Sequence, residues 1–195
     1  MANPGGFFAH LVKFIITIIC MGYFDDKSSG LTQRAFQIYL VHSILGMFRF
    51  GSTGGLIAKR GFRDFYERTS NISEIIPFGI FASEISRRCG IDDILRQSLL
   101  LVLTLLPIVH EIVPRKERSK MRTLINHSIN LQLLIITIAC LQRSNWYIIN
   151  LIISYIFNRY YAENFCDWFD VPYDVLIQYS LSFVQVFALT ALNEL

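Results

Sequence analysis

Two adjacent residues, His110 and Glu111, are of types that could do chemistry, because many zinc proteases begin their metal site with this pair. That site requires a second histidine four residues after the first, and position 114 is a proline. The chain also contains no Gly-x-Ser-x-Gly nucleophile turn and no His-x4-Asp pair of the kind that acyltransferases use. The sequence therefore predicts no catalytic residue, and we expect that the protein is not an enzyme.

The cysteines and glycines do not form a metal or phosphate motif either. No two cysteines have CxxC or metal-ligand spacing, and two of them lie inside apolar segments, where a reduced thiol behaves as a small hydrophobic group. The glycine-rich stretch 51–55 lacks the Lys-Ser/Thr that completes a phosphate-binding loop, so it predicts a hinge. We therefore expect no bound metal and no cofactor. The four cysteines are Cys20, Cys89, Cys140 and Cys166.

Several polar residues lie inside otherwise apolar segments. Asn126 and Asn130 are four residues apart and share a helix face, and Gln178 begins a similar polar row near the end of the chain. An ionisable group within a membrane, such as His42 or His127, is by default a functional candidate. Polar side chains also commonly hold helices together in lipid. We predict helix–helix polar contacts for His42, Asn126, Asn130 and Gln178, with the lining of a small transporter or channel as the alternative.

The elements that must position these residues are long apolar helices. The 195 residues are 53% hydrophobic and only 17% charged, against about 25% charged in an average soluble protein. A helix needs about 20 largely apolar residues to cross a bilayer. The pattern predicts an all-α fold, a polytopic helical membrane bundle with hairpins and amphipathic interfacial helices, as a single domain over 1–195. The apolar segments are 7–24, 36–50, 98–113, 124–141, 146–157 and 175–192.

Two basic segments indicate where the chain meets the membrane surface. Segment 59–71 interleaves basic residues with aromatic ones, which is typical of an amphipathic helix on an anionic membrane face. Nucleic-acid binding is the weaker alternative, and we expect no nucleic-acid partner. Segment 115–122 is predicted as a basic loop on the cytosolic side, by the positive-inside rule. The residues predicted to bind the membrane surface are Lys59, Arg60, Arg63 and Arg68.

The short apolar segment 75–82 complicates the topology. If both basic segments are cytosolic, this segment must cross the membrane despite its length. We predict that it inserts only shallowly, because it contains Pro77 and Gly79 and is flanked by acidic residues. The segments 124–141 and 146–157 are separated by only four residues, so we predict that they form an antiparallel hairpin.

The order of several short motifs resembles the transmembrane-protein-33 family, which includes the Krüppel homologue 2 proteins of insects and Pom33 of yeast. The motifs are Gln33-Arg34-Ala35, Met47-Phe48-Arg49, Lys59-Arg60-Gly61-Phe62, the apolar segment 75–81 and the stretch from Ile153 to Tyr161. The resemblance implies residence in the endoplasmic reticulum and nuclear envelope, shaping of membrane tubules, association with reticulons and an influence on nuclear-pore distribution. It supplies no catalytic residues. The family's basic amphipathic tail has no counterpart here, because 174–195 contains no lysine or arginine.

These observations predict a non-enzymatic integral membrane protein that shapes or scaffolds a membrane. The expected mechanism is wedging, in which helices inserted into one leaflet expand it and the basic helix 59–68 holds the surface. The expected partners are the lipid bilayer and reticulon-like or nuclear-pore membrane proteins, and no small-molecule substrate is evident. A small transporter or channel remains the alternative.

Overall fold

The computed structural model describes residues 3–24, 30–52 and 60–195, and within these ranges the chain is helical without any strand. The predicted all-α fold is therefore confirmed. The helices are α1 (Pro4–Tyr23), α2 (Gly30–Gly51), α3 (Arg60–Arg88), α4 (Asp93–Ile112), α5 (Arg115–Arg143), α6 (Trp146–Ile156), α7 (Ala162–Phe169) and α8 (Tyr173–Asn193). A single π-helical turn (Phe157–Tyr161), here called the π-turn, joins α6 to α7.

Among the described residues, four helices are long and apolar enough to cross a membrane, namely α1, α4, α8 and residues Lys116–Arg143 of α5. Their outward faces expose large apolar side chains, as lipid-facing helices do. This supports the predicted polytopic membrane bundle. Examples of these exposed residues are Ile15 and Ile18 of α1, Leu101 and Leu105 of α4, Leu134 and Ile138 of α5, and Phe183 of α8.

Helix α3 is the central helix of the bundle, and the shallow insertion predicted for 75–82 is wrong. Every residue from 73 to 86 is buried, because α2, α4, α5 and α8 all pack against α3. A Cβ at Gly79 would lie 3.1 Å from Cβ of Leu103, so this glycine permits a close approach to α4. The apolar segment looked short because Glu74 and Glu84 bound it, and both carboxylates accept hydrogen bonds from arginines.

The basic segment 115–122 is also helical rather than a loop, since it forms the first two turns of α5. Pro114, with φ of −55°, occupies the N-cap position, and a helix commonly begins beside a proline. The hairpin predicted for 124–141 and 146–157 is confirmed. The chain reverses between α5 and α6 at Ser144, whose φ of 54° is left-handed.

Helix α1 packs between α2 and α8, and small residues allow its close contact with α2. A Cβ at Gly46 would overlap the ring of His10, and a Cβ at Gly6 would lie 2.8 Å from the ring of Phe50. The backbone N–H of Asn3 donates to the carbonyl of Phe50 (3.1 Å), so α1 begins where α2 ends.

Both basic segments lie at the same end of the bundle, here called the basic end. The Asn71 amide of α3 donates to Glu111 Oε1 (2.9 Å), and the Arg118 guanidinium of α5 donates to the Glu111 carbonyl (3.1 Å). At the opposite end, the Arg143 guanidinium contacts the Arg88 carbonyl (3.4 Å). Segment 75–82 is part of α3, which runs the full length of the bundle. Both basic segments can therefore lie at the same end without a separate, short crossing segment.

Candidate functional site

The first candidate site is a buried polar cluster inside the bundle, here called the lysine cluster. Lys13 Nζ lies 2.7 Å from Nδ1 of His42 and donates to the side-chain carbonyl of Gln178. All three side chains are at least 98% buried, although they come from α1, α2 and α8. The cluster therefore joins three helices at one point in the interior of the bundle.

Two further hydrogen bonds extend the lysine cluster along α1. His10 Nε2 lies 2.8 Å from the hydroxyl of Tyr66 in α3, and the Thr17 hydroxyl donates to Gln185 Oε1 in α8 (2.7 Å). Residues 10, 13 and 17 recur at three- and four-residue intervals, which places them on one face of α1. That spacing is the sequence signal for this buried face, which was not among the predicted sites.

The lysine cluster joins nitrogen and oxygen groups through hydrogen bonds. Within the described ranges no carboxylate pairs with Lys13, and its Nζ lies 6.0 Å from the centre of the Tyr39 ring. Nδ1 of His10 and Nε2 of His42 have no hydrogen-bond partner among the described residues. A buried polar atom without a partner costs free energy, which is more often accepted at functional sites.

The second candidate site is a cleft of about 230 Å³ at the basic end, here called the basic cavity. It lies between α3, α4, α5, the π-turn and the start of α8. At its floor the Arg159 guanidinium donates to Glu74 Oε1 (3.1 Å) and to Asn126 Oδ1 (2.9 Å). Its polar lining consists of Asn71, Glu74, His110, Arg122, Arg159 and Tyr173.

The π-turn accounts for the position of Arg159. A π-turn inserts an additional residue into a helix and often marks a functional site. Here it directs Arg159 toward Asn126 and the Tyr160 hydroxyl toward Asn130 Oδ1 (2.7 Å). Burial raises the pKa of Tyr160, whose hydroxyl is the donor in this hydrogen bond. The structure thus places Asn126 and Asn130 in contact with the π-turn, and His42 and Gln178 in the lysine cluster.

The predicted membrane-surface residues lie on the exposed first turns of α3. Arg60, Arg63 and Arg68 all face solvent, whereas Lys59 lies outside the described residues. Arg63 donates to Glu67 at 2.7 Å, and this hydrogen bond raises the pKa of Arg63. Tyr66 faces inward and Phe65 is 52% exposed, so the segment presents basic and aromatic groups on its outer side.

The remaining candidates from the sequence are histidines and cysteines, and they do not come together in a metal-binding or nucleophilic site within the described residues. His110 Nδ1 lies 3.1 Å from Glu111 Oε1, but the described residues contain no group of three ligands able to hold a metal ion. His127 is exposed on α5. The four cysteines are buried and form no disulfide, and burial raises the pKa of the Cys166 thiol in α7.

Comparisons of the chain with family models, with curated proteins and with solved structures found no match. The resemblance to the transmembrane-protein-33 family therefore stays a prediction.

Proposed function

We propose that this protein is a non-enzymatic integral membrane protein that shapes or scaffolds an internal membrane. The observation that carries the proposal is the collection of basic and amphipathic elements at one end of an apolar bundle. The exposed basic turns of α3, the basic turns of α5 and helix α7 all lie at the basic end. An asymmetric insertion of this kind expands one leaflet relative to the other.

Helix α7 supports the wedge mechanism by its own amphipathicity. Ala162 and Cys166 are buried against the bundle, whereas Trp168 is 79% exposed and Phe169 is 62% exposed. Tryptophan is enriched at the membrane–water interface, where its amphipathic ring is stable. Because α7 directly follows the π-turn at the end of α6, it lies at the same level as the basic segments.

The cellular location and the partners in this proposal come from the family resemblance in the sequence. We propose the endoplasmic reticulum and nuclear envelope as the location, and reticulon-like or nuclear-pore membrane proteins as the partners. The bilayer itself is the partner that the exposed apolar faces of α1, α4, α5 and α8 support.

The proposal is tested by curvature sorting of the full-length protein. Fluorescent protein is reconstituted into giant vesicles of phosphatidylcholine and phosphatidylserine, and membrane tubes are pulled from them. We expect enrichment of the protein in the tube, and Arg60→Glu combined with Arg68→Glu should reduce that enrichment by at least half. The physical reason is that each basic residue near an anionic surface contributes about 1 kcal/mol of attraction.

The matched control is Arg34→Glu combined with Arg143→Glu, which makes the same charge change at the opposite end of the bundle. This variant should keep the enrichment of the unchanged protein. Equal density of the unchanged protein in tube and vesicle, or an equal loss in the control, would reject the wedge mechanism.

A second candidate function is transport of protons or small cations through the bundle. The lysine cluster favours it, because ionisable residues buried among membrane helices commonly mark ion pathways. Lys13, His42 and His10 provide a row of groups that could exchange protons.

A further inference from the structure

A groove of about 430 Å³ lies between α2 and α3, and its surface is almost entirely apolar. Val41 on one rim is 56% exposed and Phe65 on the other is 52% exposed, so the groove opens sideways from the bundle. From Arg34 to Leu45 it follows eleven residues of α2, which is about 16 Å at the helical rise of 1.5 Å per residue. The apolar side chains that line it are Ile38, Val41, Leu45, Phe65 and Ile72.

The polar side chains in the lining of this α2–α3 groove already have partners, with one exception. The Thr69 and Ser73 hydroxyls each donate to a backbone carbonyl of α3, at 2.8 and 2.9 Å. The Arg34 guanidinium donates to the side-chain carbonyl of Gln37 at 3.1 Å. The exception is His42, whose Nε2 has no hydrogen-bond partner among the described residues.

The unpartnered nitrogen of His42 lies on the side of the ring that faces away from α1. Nδ1 is 2.7 Å from Nζ of Lys13 in α1, and the two nitrogens of an imidazole point in nearly opposite directions. The groove is lined by α2 and α3 alone, and His42 is only 2% exposed, so its ring forms part of the groove floor.

The position of His42 along α2 places this floor near the middle of the bilayer. It is nine residues from Gly51 and twelve from Gly30, the two ends of the helix. These separations correspond to about 13 and 18 Å. A hydrocarbon core is about 30 Å thick, so Nε2 needs a partner far from both membrane surfaces.

A membrane-spanning helix can supply a hydrogen-bonding group at this depth. A phospholipid keeps its polar groups at the membrane surface, and its acyl chains cannot form a hydrogen bond. Serine and threonine hydroxyls on transmembrane helices commonly bond to neighbouring helices. A hydroxyl both donates and accepts, so it can pair with either tautomer of His42.

Arg34 adds a charge requirement at one end of the groove. It is exposed four residues after the start of α2, and it forms no salt bridge among the described residues. An acidic side chain on the occupant would pair with it. Since Arg34 and His42 are eight residues apart, the occupant should carry its acid and its hydroxyl seven or eight residues apart, on one helix face.

We infer that the α2–α3 groove docks a transmembrane helix of a partner membrane protein, with a serine or threonine hydroxyl on Nε2 of His42 and an acidic side chain beside Arg34. This inference rests on the proposed scaffolding function and names the surface that a partner would use. Curvature sorting tests the basic end of the bundle, whereas docking in the groove needs no curved membrane. Failure of one is therefore distinguishable from failure of the other.

The test is binding of a synthetic transmembrane peptide to the full-length protein in detergent micelles. The peptide has about 20 leucine and alanine residues, with a serine at the centre and an aspartate eight residues away. A dansyl group on the peptide receives energy from Trp146 and Trp168. We expect saturable binding, and replacement of the peptide serine by alanine should raise Kd about threefold or more, as for other hydrogen bonds between membrane helices.

His42→Asn identifies the atom that is responsible. Its amide can occupy the position of Nδ1, which Lys13 contacts, but nothing replaces Nε2. This variant should bind the serine and alanine peptides equally, because the effects of two groups in contact are not additive. The matched control is His127→Asn, at an exposed position of α5, which should keep the preference for serine.

Equal binding of the two peptides by the unchanged protein would overturn the proposal, as would an unaltered preference in His42→Asn. Displacement of the peptide by an equal concentration of phosphatidylcholine would show that lipid occupies the groove, and the helix assignment would be wrong. If His42→Asn does not fold, the exposed Arg34→Gln decides. It should weaken binding of the aspartate peptide but not of an asparagine version, and equal binding of the aspartate peptide by Arg34→Gln and the unchanged protein would overturn the proposal.

Discussion

Lys13 is a fully buried lysine in α1, a helix that is otherwise apolar enough to span a membrane. An ionisable group buried among membrane helices is costly, so it persists where partners compensate for it. Here His42 and Gln178 compensate for it, and Gly46 leaves space for the neighbouring His10 ring. The arrangement either holds three helices together or moves a proton, and one residue distinguishes these roles.

Lys13→Met tests the transport candidate at the scale of this residue. If the lysine cluster transports protons, proteoliposomes loaded with a pH-sensitive dye should acidify under an imposed gradient, and Lys13→Met should slow that uptake at least tenfold. The reason is that methionine has a similar length but no exchangeable proton.

The control for this measurement is Lys116→Met, which makes the same change at an exposed position of α5 and should keep the uptake. No proton uptake by the unchanged protein would eliminate transport of protons and leave the cluster as a contact between helices.

At the scale of elements, the Glu74–Arg159 ion pair ties the central helix to the π-turn. The two side chains are only 11% and 13% exposed, so neither charge is well solvated. Removal of one partner from a buried pair commonly costs about 3–5 kcal/mol, whereas replacement of both by apolar groups can be nearly neutral. We therefore expect the pair to determine which helices meet more than it adds stability.

Glu74→Leu should accordingly lower the free energy of unfolding by about 3–5 kcal/mol, because Arg159 is left buried without a counter-charge. The double variant Glu74→Leu with Arg159→Met should be more stable than that single variant. Both are measured by thermal and denaturant unfolding in the same detergent.

The exposed pair Arg63–Glu67 offers a comparison of the same type on the same helix. Glu67→Leu should leave the free energy of unfolding nearly unchanged, since water solvates the remaining charge. A loss in Glu74→Leu no larger than in Glu67→Leu would contradict the role given to the buried pair.

At the scale of the whole molecule, the distribution of basic residues orients the bundle. The positive-inside rule assigns the end richer in lysine and arginine to the cytosol. The described basic residues at the basic end include Arg49, Arg60, Arg63, Arg68, Lys116, Arg118, Lys120 and Arg122, and those at the opposite end include Arg34, Arg87, Arg88, Arg96 and Arg143. Hydrogen bonds to Glu84 or Asp93 already engage three of the latter group.

We therefore predict that single cysteines at Asp64 and Lys120 react with an impermeant maleimide in intact microsomes, whose outer face is cytosolic. A cysteine at Ile94, which is 77% exposed at the opposite end, should react only after permeabilisation. The native cysteines are replaced by alanine in all three variants. Labelling of the cysteines at Asp64 and Lys120 from different sides would refute the common basic end.

The sequence alone determined the local features of this protein. The all-α fold, the apolar helices and the reversal between α5 and α6 follow from apolar run length and helical period, which are properties of neighbouring residues. The basic character of 59–71 and 115–122 was also evident, although the helical state of the second segment was not.

Only the tertiary structure decided which helix is central and which polar residues meet. Lys13 and Gln178 are 165 positions apart, and Glu74 and Arg159 are 85 apart, so no local pattern relates them. Segment 75–82 looked too short to cross because hydropathy counts Glu74 and Glu84 as polar, whereas the folded bundle pairs both with arginines. The physical reason is that the cost of burying a charge depends on its partners, and long-range packing of the helices brings those partners together.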